Sequence, residues 1–347
     1  MIDEIKLSKL IFYVKMVMVI KLNYLKILKM SLGFVLATII SNYFNLNYAV
    51  SAGIVALLSI QETKKETLQI GVQRFLSFTL TLFLAIVVFK IFGFNPYAFG
   101  VLLFFFIAFS MKFNLESGIA MNSVIATHYL IEESMSLEWI KNEFSIFSIG
   151  VMIGILLNLY MPSYETDIKA EQVEIENIFK EILHQMSTCI LNNHKTGILY
   201  KKITDLENKI NDIKQLAYHN MNNRLLDDTK YQLSYLEMRY FQCLLLQHIY
   251  DQMMKMDFIP LESQEIADFF NQLANCFHEH NEASLQIKQL HELKQHYKQS
   301  SLPTSRIEFE NRSHLMQIID LLEQFLNLKY QFVLNLTDQE KNKYWTM

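Results

Sequence analysis

Cysteine is scarce and scattered: Cys189, Cys243 and Cys276 are the three in 347 residues. Their number is odd and no CxxC pair exists, so neither a disulfide framework nor a thiolate metal site is expected. GxxxxGK[ST], GxSxG and GxGxxG are also missing, which leaves nucleotide hydrolysis and acyl chemistry without their frames and argues against an ATP-driven pump in this chain. The nearest thing to a zinc motif, His291-Glu-Leu-Lys-Gln-His296, has one residue too many for HExxH. At about 100° per residue its two histidines lie about 140° apart around a helix and cannot share a metal. His278 and His280, two apart, diverge as well. No metal, cofactor or enzymatic centre is expected. Strand-like alternation is absent too.

Charge is missing from long stretches. Residues 30–44, 48–60, 75–92, 97–111, 119–131 and 144–161 are apolar runs with almost no ionisable side chain inside them. Glycine nearly vanishes beyond them: eight of nine lie between Gly33 and Gly154, and Gly197 alone follows. The chain thus changes character near Pro162. Residues 1–165 hold 12 Lys and Arg against 10 Asp and Glu, and the remainder 19 against 25. An acidic second half does not suggest nucleic acid, whose binding rests on clustered cations.

A membrane-spanning helix needs about 20 mostly apolar residues. Residues 27–46, 70–92, 96–111 with their neighbours, and 140–161 meet this. The runs at 48–60 and 119–131 are shorter, and cross only if sheltered between longer neighbours. Six spans are therefore expected in residues 27–162. Lys and Arg alternate between rich and poor loops. Lys6 to Lys29 precede the first span, and Lys64, Lys65 and Arg74 surround the third boundary, whereas 41–47 is uncharged and 132–143 acidic. The positive-inside rule then puts both termini in the cytoplasm. Residues 1–26 form a basic extension, read as an interfacial helix or as sequence upstream of a later start at Met16 or Met18. No small-residue cleavage site follows, so a signal peptide is not expected.

Small residues at helical spacing mark close helix contacts: Gly150 with Gly154, and Ala52 with Ala56. These suit packing within the chain as well as a dimer seam. Polar residues at membrane depth ask for partners. Gln61, Glu62, Gln73 and Arg74 gather at the second-to-third connection, Asn114 and Glu116 at the fourth-to-fifth. Asn122, Thr127 and His128 lie in span five and Asn158 in span six. One reading makes them caps and helix cross-links. The other makes Arg74 the counter-ion of an anionic substrate and His128 a proton carrier, since imidazole titrates near neutrality. Phe104, Phe105, Phe106 and Phe109 suit lipid or core contact better than a substrate cage.

From Glu165 on, apolar residues recur at three and four. Helices are expected near 165–190, 200–221, 228–256, 262–280, 282–298 and 309–336, with a linker at 300–305. An antiparallel helical bundle in residues 163–347, with stripes long enough for self-association, is the default.

Three segments carry a family resemblance. They are Ala52-Gly-Ile-Val-Ala-Leu-Leu-Ser-Ile-Gln61 followed by a basic turn and Gln73-Arg74, Phe94-Asn-Pro-Tyr-Ala-Phe-Gly100 running on to Leu115-Glu116, and Asn158-Leu-Tyr-Met-Pro-Ser-Tyr-Glu165. Their order and spacing resemble the aromatic acid exporter family, of the fusaric-acid-resistance-like membrane proteins, over residues 25–165. Glu62 departs from the Pro that relatives often carry there. The resemblance implies an all-α protein: a six-span membrane domain that dimerises or assembles further, followed by a cytoplasmic helical domain. It implies secondary export of aromatic or other organic acids across the plasma membrane, with the bilayer and a small organic anion as partners. The alternative is a membrane-anchored interaction or regulatory module that acts through its helical tail.

Overall fold

A computed structural model describes residues 24–192, 197–224 and 230–345. The expected N-terminal interfacial helix lies almost wholly outside them. The described residues hold thirteen helices, one 3-10 turn and no strand. They form two compact units, one of the residues up to Pro162 together with 222–224, and one of the remaining residues from Ser163 on.

The first unit contains α1 (Tyr24–Tyr43), α2 (Ala49–Ser59), α3 (Lys64–Phe92), α4 (Pro96–Lys112), a 3-10 turn (Glu116–Gly118), α5 (Ile119–Ile131) and α6 (Leu137–Leu159). Local chemistry sets their ends. Thr63 accepts the Glu66 N–H at 3.2 Å, so α3 starts at Lys64 rather than at Ile70. Gly93, with φ 73°, stops it, and its N–H returns to Phe89 O at 2.9 Å. Asn95 caps α4 and Pro96 opens it. Asn114 takes a left-handed φ of 55°, so α4 closes after 17 residues instead of drawing on its neighbours as expected.

Among the described residues α1, α3 and α6, at 20, 29 and 23 residues, are long and apolar enough to cross a bilayer. Helices α2 and α5 have 11 and 13. The unit's outer faces carry Val72, Phe83, Ile91, Phe104 and Met152, all exposed. Phe105 and Phe109 are also exposed, while Phe106 is core. Apolar side chains displayed on every long helix suit a hydrocarbon surrounding, and helices are what such a solvent requires.

Inside, the Phe78 and Phe147 rings stack at 4.7 Å over Ala85, Leu102 and Ile125. Helix α2 lies along α6. A Cβ added at Gly150 would sit 2.5 Å from Val55 Cγ1 and 2.7 Å from Ala52 O; one at Gly154 would sit 2.5 Å from Ser59 Cβ. The Gly150/Gly154 pair therefore faces Ala52 and Ala56 of the same chain, and that face of α6 is occupied.

The second unit contains α7 (Glu165–Asn192), α8 (Gly197–Asn222), α9 (Tyr231–Lys255), α10 (Ser263–Asn275), α11 (Ser284–Gln299), α12 (Arg306–Leu334) and α13 (Asp338–Tyr344). Helix α10 ends before His278 and His280, which fall in a loop. The sequence reading did not foresee α13, which a capping box of Thr337 and Glu340 starts. The closest pairings are α7 with α10 and α9 with α12. At the centre Arg239, 1% exposed, bonds Glu176 at 3.1 Å, Tyr235 Oη at 2.9 Å and Gln242 Oε1 at 2.8 Å. None of the three cysteines forms a disulfide among the described residues. Burial pushes the Cys243 thiol up to about 12, and it donates to Ile203 O at 3.4 Å. His291 and His296 turn to different carboxylates, Glu323 at 3.1 Å and Glu265 at 2.9 Å. No cluster of three metal-ligating side chains occurs among the described residues.

Candidate functional site

Of the polar residues singled out in the sequence, Gln61, Glu62, Gln73, Arg74, Asn122 and Asn158 collect at one end of the first unit, around the α2–α3 and α4–α5 connections. His128 lies at the other end.

Arg74 sits ten residues into α3, about 15 Å along its axis, and is 6% exposed. Its guanidinium reaches the C-terminus of α2 and the 3-10 turn. Nη1 donates to Ser59 Oγ at 3.1 Å, and Nε donates to Ser117 O at 3.1 Å. Ser59 in turn donates to Val55 O at 2.7 Å, and Ser117 Oγ to Gln73 Oε1 at 3.0 Å. Asn122 Nδ2 of α5 donates to the Arg74 carbonyl at 3.4 Å. Two of the five guanidinium N–H groups are accounted for this way. No carboxylate lies within ion-pair distance of Arg74 among the described residues. Asn122 Oδ1 and Ser77 Oγ nearby are buried without a partner among them. A cation in an apolar bundle without a counter-charge is costly, and an anion offered by a ligand would offset that cost.

Beside it, Asn158 ties α6 to the α2–α3 connection. Nδ2 donates to Gln61 O at 3.1 Å and to Thr67 Oγ1, while Oδ1 accepts from Lys29 Nζ at 3.2 Å. Lys29 also reaches Tyr160 O at 2.5 Å. Gln61 folds back onto Leu58 O at 2.8 Å. Glu62, half-exposed, pairs with Lys26. Asn158 and Asn122 are thus cross-links between helices, and Arg74 is held from two sides.

At the opposite end His128 of α5 lies between α2 and α6. Nδ1 is 2.7 Å from Glu143 Oε2, and Nε2 is 3.2 Å from Ser51 Oγ. The Tyr48 ring stacks on the imidazole at 4.0 Å, and its hydroxyl donates to Glu132 at 2.6 Å. Asn142 Nδ2 donates to the other Glu143 oxygen at 3.0 Å. The imidazole and the carboxyl, both buried, are hydrogen-bonded to each other. Helix α2 joins the two centres: Ser51 in its first turn meets His128, and Ser59 at its end meets Arg74, about 12 Å apart along the axis.

Sequence reasoning placed Glu143 in an acidic outer loop. The structure puts it in the second turn of α6, with no exposed surface. The signal was Ser136, whose hydroxyl caps α6 and starts the helix before Glu143. Ser59 and Ser117 carried no sequence signal, being ordinary serines at helix ends.

An apolar helical unit with two buried polar centres, joined to a helical unit with a core of its own, defines an all-α membrane protein. The chain belongs to the aromatic acid exporter family. Residues 21–161 match the model described as “Aromatic acid exporter family member 1”, and residues 165–330 match “Putative aromatic acid exporter C-terminal domain”. It is similar to “Uncharacterized protein YqjA” of Bacillus subtilis (strain 168), at 29% identity over 314 residues, 90% of this chain and 96% of that one. A solved chain, “Crystal structure of putative membrane protein from Clostridium difficile 630”, aligns at 24% identity with a TM-score of 0.43, over 48% of this chain and 99% of that one.

Proposed function

We propose that the protein is a secondary exporter of small organic acids, aromatic carboxylates foremost, and not an enzyme. It acts in the plasma membrane as a multi-pass protein with both ends in the cytoplasm, and it assembles as a dimer or higher oligomer. The observation that carries this reading is Arg74: a buried guanidinium, held by Ser59 and Ser117, with no carboxylate partner among the described residues. A substrate carboxylate supplies the missing charge. The His128–Glu143 pair takes and releases the proton that drives the cycle, and α2 connects the two.

Reconstitution into liposomes tests it. Outward benzoate flux under a pH gradient is expected to fall at least tenfold for Arg74→Ala. Arg74→Lys keeps the charge but loses the fork that grips a carboxylate, and falls between. Unchanged flux in well-inserted Arg74→Ala protein overturns the assignment.

A further inference from the structure

The His128–Glu143 pair has a cover. The connection from α1 to α2, residues 44–48, brings the Tyr48 ring over the imidazole, with 4° between the two planes. Asn45 and Tyr48 in this connection take left-handed backbone, φ 53° and 58°. For a residue as bulky as tyrosine that conformation is uncommon and costs energy, so surrounding contacts must hold it.

The contacts that do so are largely polar. The Asn142 side chain grips the Asn47 backbone twice. Its Oδ1 accepts the Asn47 N–H at 2.9 Å, and its Nδ2 donates to the Asn47 carbonyl at 3.1 Å. The same Nδ2 meets Glu143 Oε1 at 3.0 Å, so one amide holds both the cover and the carboxyl beneath it. The Tyr48 hydroxyl is held by Glu132, and the Trp139 ring stands 6.2 Å from the Tyr48 ring. Burial is graded across the cluster. Glu143 has no exposed surface and His128 is 4% exposed, whereas Tyr48, Glu132 and Asn142 are partly exposed. Both imidazole nitrogens are bonded inward, to Ser51 and Glu143, and Tyr48 covers a face of the ring.

We propose that Tyr48 is the gate of this pair: stacked, it shuts His128 and Glu143 off from water, and swung away with residues 44–48 it lets a proton pass between that water and the imidazole. The Glu132 bond and the Asn142 grip are its latches. The proton comes from the water beyond the gate, and no other covalent bond changes. A proton carrier left open to water exchanges its proton continually and cannot tie it to the passage of an anion; a closed cover prevents that leak. Tyr48 is thus a positioning residue, acting through His128. Its part in transport rests on the export reading, whereas the cover itself does not.

A thiol placed under the ring reads the gate. Ser51 is 8% exposed and 3.2 Å from His128 Nε2. The reporter is Ser51→Cys in full-length protein whose three native cysteines are replaced, held in nanodiscs where both faces meet solvent. A trimethylammonium methanethiosulfonate is expected to modify it at least tenfold faster once Tyr48→Ala is added. Tyr48→Phe keeps the stack and loses the Glu132 bond, and Asn142→Ala frees Asn47; each should speed the reaction threefold or more. None of these changes adds or removes a charge beside the thiol. Ser134→Cys, in the α5–α6 connection, should react alike in all of them. Equal Ser51→Cys rates with and without the Tyr48 ring overturn the gate, as does a parallel rise at Ser134→Cys, which marks general loosening. If Tyr48→Ala fails to fold, the two milder variants decide, and rates unmoved by both overturn it. In liposomes, Tyr48→Ala should lower gradient-driven benzoate flux at least fivefold while benzoate–benzoate exchange persists. Faster labelling with unimpaired gradient-driven flux leaves the cover standing and overturns the proton role given to the pair in the export reading.

Discussion

A carboxyl group with no exposed surface inside an apolar bundle keeps its charge only where a partner offsets it. Glu143 has His128 and Asn142 for that purpose. Glu143→Gln keeps the shape and a hydrogen bond to His128, but holds no exchangeable acid proton. If the pair couples proton movement to transport, gradient-driven benzoate flux is expected to drop at least tenfold while benzoate–benzoate exchange persists. Equal loss of both would reduce the pair to a structural clamp. In the second unit Lys329 gives a prediction about stability. The native amine releases its proton near 6 and the unfolded one near 10.5, so between these values the unfolded chain binds more protons and stability climbs with pH. Lys329→Met removes this dependence. The unit's unfolding midpoint is expected to rise at pH 7, and its slope to flatten between pH 7 and 9; a parallel drop at both pH values would show that the amine stabilises the core. Arg74, Asn122, His128 and Asn158 were legible in the sequence because a polar residue in an apolar run stands out. Lys329, Arg239 and Glu143 were not, since each sits in a mixed segment where burial depends on helices distant in sequence.

At the scale of helices, the bodies were easier to read than the boundaries: α3 was expected from Ile70 and begins at Lys64, and α10 was expected to reach His280 and ends at Asn275. Capping side chains are local: Asn95 with Pro96, Ser305 accepting from the Glu308 N–H at 3.1 Å. The Asn114 turn that cuts α4 short, and the loop that ends α10, answer to surrounding packing instead. The small-residue spacings were visible, but not which partner they meet. The seam of α2 and α6 settles that within one chain. At Gly150 a side chain would strike both the Val55 side chain and the Ala52 carbonyl, and the second cannot move unless α2 moves. Gly150→Leu is expected to cost about 1–3 kcal/mol or more and to lower the thermal stability of the detergent-solubilised protein. Adding Val55→Ala should restore only part of it, because the backbone clash remains. Full rescue by Val55→Ala would mean that α2 is free to slide. Since α2 also bonds both polar centres, Gly150→Leu should weaken flux even where protein inserts normally.

Over the whole chain, the distribution of charge and the lengths of the helices point to one path through the bilayer. Helices α2 and α5 rise only about 17 and 20 Å, less than the roughly 30 Å of hydrocarbon, but each is flanked by a longer helix: α3 at 29 residues borders both. The polar ends of the short pair then meet protein, at Arg74 on one side and at His128 on the other. On the topology proposed above, that arrangement would give six crossings, with Ser134 in the acidic connection outside and Lys65 at the basic connection inside. The three native cysteines all lie beyond residue 188, so they can be replaced without touching the first unit. In intact cells carrying such a background, Ser134→Cys is expected to react with a membrane-impermeant maleimide from outside, and Lys65→Cys only after permeabilisation. Labelling of Lys65→Cys alone from outside would mean that α2 turns back within the membrane; labelling of both, or of neither, would mean that α5 does, and the Arg74 and His128 centres would then open to the same side, where no alternation between them can carry an anion across.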